Sequence, residues 1–258
     1  MSNSTWQDQL TDTAILEELL TLETYVSIIV PAFNEASCIE ENLFAIEQEI
    51  DGITRSYEII IAEDGSVDGT DLIAESLSRE KSRITHLHSD ERRGKGAALN
   101  RAFLASTGNT VVFMDADLAT NLQCLSGMLK QIERGYDLVI GSRYVEGAHV
   151  ERPLSRTVSS LVYNFLVRLI FRDEIHDHQC GFKMFRSNVL DSIGAIDSNG
   201  FVYDTELLVR AKKLGYSIVE YPVTWKEPLN RKSKINILRD GFKMGLELLK
   251  LRIKLWKL

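Results

Sequence analysis

Short, almost uninterrupted apolar runs recur along the chain: YVSIIVP from Tyr25, YEIIIAE from Tyr57, ITHLH from Ile84, TVVFMDAD from Thr110 and YDLVIGS from Tyr136. Between them the apolar positions fall into a helical period, as in ASCIEENLFAIEQEI, AALNRAFLAST and NLQCLSGMLKQIE. Apolar runs without alternation predict strands buried on both faces, and the helical stretches supply the cover. The pattern therefore predicts an α/β fold, a mainly parallel sheet flanked by helices. Ligands of such sheets bind beyond the carboxyl ends of the strands.

Those ends carry unusual residues. Pro31-Ala32-Phe33-Asn34-Glu35 follows the first run, Glu63-Asp64-Gly65-Ser66 the second, Asp115-Ala116-Asp117 the fourth and Gly141-Ser142-Arg143 the fifth. Carboxylates converging on one crevice repel each other unless a cation or donor groups are present. Asp115 and Asp117, released from strand geometry, can both turn oxygens toward one hard cation, and Mg²⁺ or Mn²⁺ accepts such ligands while leaving positions for phosphate oxygens. Alternatively, Asp117 is the N-cap of the helix in NLQCLSGMLKQIE.

Composition narrows the partners. The 258 residues are 44% hydrophobic and 26% charged, with a net charge of -7. This describes an ordinary globular chain and argues against a nucleic-acid partner, which needs a basic surface. The charge is uneven: Arg231 to Leu258 carries a net +7, leaving -14 for the rest. A basic end on an acidic body suggests an acidic lipid or phosphate near the C-terminus, or simply a solvated helix face. Three cysteines without CxxC spacing favour a reducing compartment. The first residues lack a signal-peptide pattern, and LVYNFLVRLIF, broken by Asn164 and Arg168, is too short to span a bilayer. A cytoplasmic protein with no transmembrane segment is expected, arranged as an extension over 1–24, a catalytic domain over 25–230 and a basic amphipathic segment over 231–258.

Four stretches in order, VSIIVPAFNEASCIEENL, YEIIIAEDGSVDGT, RRGKGAALNRAFLASTGNTVVFMDADLA and LVIGSRYVEGA, resemble the family 2 glycosyltransferases of GT-A fold. Further on, HDHQCGFKMF, GFVYDTELLVRAKKLGYSIVEYPVTWKE and RKSKI are similar to dolichyl-phosphate β-glucosyltransferases, and GSRYVEGAHVERPLSRTVSS to dolichyl-phosphate mannose synthases. The resemblance implies an inverting, metal-dependent transfer of a hexose from a nucleotide sugar, UDP-glucose favoured, to dolichyl or polyprenyl phosphate at the cytoplasmic face of a membrane. A GDP-mannose donor, a non-lipid acceptor and an inactive nucleotide-sugar binding module are the alternatives.

By the same resemblance Pro31, Ala32, Phe33, Glu35, Ala62, Asp64 and Ala116 line the nucleotide pocket, Asp115 and Asp117 face the metal and diphosphate, and Lys234 closes over the nucleotide. Lys95, where a Gly-flanked loop enters a helix, suits an anionic group. Arg143, Arg156 and Ser160 match positions that hold the lipid phosphate, with Arg152 able to replace Arg156. Mannose synthases often carry a glutamine metal ligand where this chain has Ala119, which leaves the third protein ligand open. Asp204 is expected to orient sugar hydroxyls or the acceptor, because an ionised phosphate nucleophile needs no strong base, and Gln179 is a candidate sugar contact. His176, His178 and Cys180 lack structural zinc spacing; Cys180 reads as a small buried residue.

In the C-terminal helix Arg239, Lys243, Glu247, Lys250, Lys254 and Lys257 share a ~100° arc, and Leu238, Phe242, Leu246, Leu249, Ile253 and Trp256 form an apolar face, with Leu248, Leu251 and Leu255 extending it. Such a helix suits a membrane interface. Packing against the body of the protein is the competing expectation.

Overall fold

The computed structural model describes residues 25–198, 200–227 and 237–256. The extension over 1–24, Lys234 and Lys257 lie outside them. The order of elements begins β1 (Val26–Ala32), α1 (Ile39–Asp51), β2 (Tyr57–Glu63), α2 (Thr70–Glu80), β3 (Ile84–Leu87), α3 (Lys95–Ala105), β4 (Thr110–Met114), α4 (Cys124–Glu133), β5 (Leu138–Ser142) and β6 (His149–Glu151). It continues with α5 (Leu154–Phe171), β7 (Phe182–Arg186), α6 (Ser187–Ile193), α7 (Phe201–Lys213), β8 (Ile218–Pro222), β9 (Thr224–Lys226) and α8 (Ile237–Trp256).

Seven strands form one sheet in the order β3-β2-β1-β4-β7-β5-β8. All five predicted runs are strands of it. β2, β4 and β5 are buried almost throughout, as their uninterrupted apolar sequences require. β7 is antiparallel to both β4 and β5 and is not among the strands expected from the pattern. One apolar layer covers the sheet face carrying α1, α2 and α4, centred on Ile28, Ile59, Val112 and Met184. The other, around Phe113, Phe185, Leu207 and Tyr203, packs α3, α6 and α7 on the opposite face. The fold is therefore mixed α/β, with a mostly parallel central sheet flanked by helices.

The strand order turns at β1, whose neighbours are β2 on one side and β4 on the other. The β1–β4 pairing ends at Ile29 and Phe113, while β1–β2 continues to Ala32 and Glu63. Pro31 thus sits where one side of the strand no longer needs an N–H for the ladder. Beyond this divergence lies the crevice in which the predicted residues gather.

α8 answers the question left open by its two apolar faces. Leu248, Leu251 and Leu255 are buried with Tyr163 and Val167 of α5 and Val202 and Val209 of α7. Leu246, Leu249 and Ile253 remain exposed. The residues that the sequence makes a mere extension are the ones that pack, and Leu246, Leu249 and Ile253 of the expected main stripe look outward. Lys254 bonds to Asp197 at 2.9 Å and Glu206 at 3.1 Å, so this member of the basic arc is committed to the body of the protein.

Candidate active site

The turn after β4 explains the paired aspartates. The Asp115 N–H donates to the Gly181 carbonyl at 3.1 Å, and the Leu118 N–H returns to the Asp115 carbonyl at 3.2 Å. Leu118 adopts a left-handed φ of 47°, so the chain reverses tightly and leaves both carboxylates at its rim. The Asp117 carboxylate accepts the Ala119 N–H at 3.2 Å, a local turn. α4 begins only at Cys124, so Asp117 is not its N-cap. Asn42 clamps the turn from α1 by donating to the Ala116 carbonyl at 2.7 Å.

Gly181 is required beside this turn. A Cβ there would lie 1.9 Å from Asp115 Oδ2, so only glycine leaves the carboxylate its place. Lys95, the first residue of α3, bonds Asp115 at 2.6 Å. Burial works against its charge, but Asp115, with Asp204 and Asp117 behind it, holds the ammonium above its ordinary value. A cation therefore already sits against the oxygens expected to receive a metal, and the donor set is one that Mg²⁺ or Mn²⁺ accepts. The two aspartates line a small cleft with Leu118, Ala119, Thr120 and Phe182. A far larger cavity of about 630 Å³ between α1 and α4 contains none of the predicted residues.

The nucleotide-pocket candidates flank this cleft. Pro31 and Ala32 pair with Ala62 and Glu63 across β1 and β2. The Asp64 carboxylate is buried and accepts the N–H groups of Arg93, at 2.9 Å, and Gly94, at 2.7 Å. It thereby fixes the loop that launches α3 and Lys95. Gly94 supplies the φ of 97° that this entry demands. The Arg92 guanidinium lies 3.9 Å from the centre of the Phe33 ring. The Glu35 N–H donates to Thr70 Oγ1 at 2.8 Å, locking the β1 and β2 loops together.

The phosphate candidates form a second group. Arg143 makes a fork to Asp177, with Nε and Nη2 at 2.7 and 2.8 Å, and both side chains are nearly inaccessible. Burial pushes the Asp177 carboxyl up, yet the Arg143 guanidinium outweighs it and holds the group below its ordinary value. Arg156 is paired with Glu227. Arg152 reaches Ser160 Oγ at 3.5 Å and the Arg156 carbonyl at 2.9 Å. Among the described residues Arg152 has no carboxylate partner, and burial followed by repulsion from Arg143 lowers its pKa. Among the described residues this cation has no anion.

Trp225 joins the two groups. Its ring has Arg152 at 5.2 Å on one contact and Arg143 at 5.7 Å on another. Thr120 bridges to Trp225, the Lys226 N–H donates to the Ala119 carbonyl at 2.8 Å, and the Asn121 N–H to the Thr224 carbonyl at 2.9 Å. The loop carrying the aspartates is thus tied directly to the strand carrying the tryptophan.

Asp204, in the first turn of α7, pairs with the fully buried Lys183 at 2.6 Å. Gln179 is half-buried, and its N–H bonds Asp177 at 3.2 Å. His176 bonds Glu220, and His178 bonds Asp173. Cys180 is buried as expected, and burial, with Asp177 nearby, pushes its thiol up to about 11. Trp225, Asp177, Lys183 and Gly181 were missed in the sequence. Their signal was present in HDHQCGFK and VTWKE, but read for His and Cys the first stretch hides the Asp and Lys that matter.

α5 carries Leu154, Val158, Leu161, Val162, Phe165 and Leu169 exposed on one ~100° face. Arg156 and Ser160 lie on its other side. Among the described residues no helix is long and apolar enough to cross a membrane.

A family model, Glycosyl transferase family 2, matches residues 27–194. Glycosyltransferase AglD of Haloferax volcanii is 40% identical over 87% of this chain, which spans 36% of that protein, about a third of its length. Polyprenol monophosphomannose synthase of Mycolicibacterium smegmatis is 34% identical, with 84% of each protein covered. Dolichyl-phosphate beta-glucosyltransferase of Drosophila melanogaster is 36% identical, over 82% of this chain and 69% of its own. Among solved structures, glucosyl-3-phosphoglycerate synthase from Mycobacterium tuberculosis, in complex with Mn²⁺, UDP and glucosyl-3-phosphoglycerate, superposes with a TM-score of 0.66 at 20% identity, covering 92% of this chain and 81% of that one.

Proposed function

The chain belongs to glycosyl transferase family 2, and from that membership we propose that it moves a hexose from a nucleotide sugar, UDP-glucose by preference, to a polyprenyl or dolichyl phosphate. The observation that carries the acceptor is Arg152, a half-buried cation without a carboxylate partner among the described residues, beside Ser160 and joined through Trp225 to the loop of Asp115 and Asp117. An anionic acceptor supplies the missing charge, and the guanidinium fork suits a phosphate.

Asp115 and Asp117 would hold Mg²⁺ or Mn²⁺, which when bound neutralises charge on the leaving nucleoside diphosphate. Lys95 serves the same diphosphate by exchanging its partner from Asp115 to a phosphate oxygen. Arg152 and Ser160 orient the acceptor phosphate for in-line attack, and Arg143, clamped by Asp177, braces Trp225 from beside them. The acceptor oxygen is already ionised, so Asp204, tied to Lys183, orients a hydroxyl instead of removing a proton. The exposed apolar faces of α5 and α8, the former on the side of its helix opposite Ser160, are in keeping with a protein docked on a membrane.

Transfer from labelled UDP- and GDP-sugars to a short polyprenyl phosphate, with Mg²⁺, Mn²⁺ or chelator, tests this reading. Metal-dependent formation of a polyprenyl-phosphate sugar from one donor is expected. Transfer to a free sugar, with none to the lipid phosphate, overturns the acceptor assignment.

A further inference from the structure

Beyond the crevice, the ends of β2 and β3 bring together a different set of donors. β3 runs parallel to β2, with Ile61 opposite His86 and Ala62 opposite Leu87. The alternation in HLH sends the imidazoles of His86 and His88 to the same side of the strand, and Glu63 ends the neighbouring strand beside them. One ligand atom from each of Glu63, His86 and His88 lies within 4.8 Å of the other two, and among the described residues this is the one such trio of His, Cys, Asp or Glu. We infer that Glu63, His86 and His88 form a second metal site, chemically distinct from the Asp115/Asp117 pair and suited to Zn²⁺ or a similar transition ion.

The donor set decides the ion. Two imidazoles and one carboxylate match the ligands of open zinc sites, whereas Mg²⁺ prefers oxygen alone. His86 Nε2 is shielded from water and has no hydrogen-bond partner, an arrangement that costs free energy unless something occupies it. Glu63 is wholly buried, and its carboxylate accepts the Ser66 N–H at 2.5 Å and meets His88.

Supporting contacts are also in place. Glu63 Oε2 meets His88 Nδ1 at 2.7 Å, and Asp90 Oδ1 lies 3.3 Å from His88 Nε2, which gives the ring the carboxylate partner usual for a ligating histidine. Admitting an ion between Glu63 and His88 opens their contact by about 0.5 Å at ordinary bond lengths. His88 can give that much, since its side chain is 44% exposed. Arg101 binds the backbone carbonyls of both Glu63 and His88, at 2.8 and 2.7 Å, and so fixes the two strand ends relative to each other. Solvent completes the coordination on the exposed side. Because Asp64 directly follows Glu63 and holds the loop of Gly94, an ion here stiffens the base of the donor pocket.

Titration of the full chain with Co²⁺ in excess Mg²⁺, followed by its visible absorption, tests the site. One equivalent is expected, with binding weakened at least tenfold by His86→Asn and by His88→Asn and unchanged in the Asp115→Asn/Asp117→Asn double variant. X-ray absorption of the unsubstituted protein loaded with one equivalent of Zn²⁺ should report two imidazoles, a result independent of how the variants fold. No stoichiometric binding, binding that survives both histidine substitutions, or an all-oxygen shell overturns the proposal.

Discussion

Two lysine–aspartate pairs flank the ring of Phe113, and their bonds are equally long. Lys95 meets Asp115 and Lys183 meets Asp204, each at 2.6 Å, with the two ammonium groups 5.5 and 5.1 Å from the ring centre. Their surroundings differ. The first pair is 31% and 45% exposed, the second 0% and 9%. Lys183 also donates to the Cys180 carbonyl at 2.5 Å. Water reaches both partners of the open pair, so on the proposed reading that pair can trade an aspartate for a phosphate. The closed pair has no such exchange, because either charge left alone in the interior is heavily penalised. Identical chemistry thus serves as a movable charge in one pair and as a fixed strut in the other.

The largest expected effect breaks the strut. Lys183→Met should lower stability by about 3–5 kcal/mol in urea denaturation, because Asp204 is left without its counter-charge. The double variant Lys183→Met/Asp204→Leu should recover most of that loss, since a buried pair exchanged for packed apolar groups is often neutral. A single variant losing less than about 1 kcal/mol would place the second pair in the open class.

Lys95→Met should do the reverse. Stability should change by no more than about 1 kcal/mol, while sugar transfer falls about 10²–10³-fold, the usual consequence of removing one group that stabilises developing charge. Parallel denaturation and initial-rate measurements check both halves. Gly181→Ala sharpens the contrast from the backbone side, since the atoms its Cβ meets first are those of the Asp115 carboxylate. A 10- to 100-fold loss of transfer is expected, with more Mn²⁺ needed for half-maximal rate.

The smallest effect at neutral pH concerns another closed pair, Arg143–Asp177. The folded Asp177 carboxyl lies below its ordinary value. Its stabilisation is therefore fully present above the unfolded value of about 3.9 and is lost as pH falls through the lower folded one. Urea midpoints should be flat with respect to this group from pH 5 to 8 and decline below about pH 4. Asp177→Asn should weaken that decline, and Lys95→Met should leave it unchanged.

The open side was more legible in the sequence than the closed side. Pro31 to Glu35, Glu63-Asp64 and Asp115 to Asp117 each follow a buried apolar run, and the strand-end rule brings them together without any long-range information. The closed side depends on contacts between distant segments. FKMFR gives no hint that β7 runs antiparallel between β4 and β5. HVE and TWK are too short to be read as strands, yet their pairing delivers Arg152 and Trp225. In α8 the pattern offers two apolar faces, and only the presence of α5 and α7 decides which one is buried. Arg156 and Arg152 lie four positions apart, and their neighbours decide between them: Glu227 claims the first.

The backbone bonds from Asn121 to Thr224 and from Lys226 to Ala119 have a mechanical consequence. If, as proposed, donor residues lie on one side of this seam and acceptor residues on the other, neither side can swing away without first breaking the amide pairings between them. The two amides thus behave as a stitched hem, whose slow exchange of hydrogen with solvent would time the moments when the crevice parts.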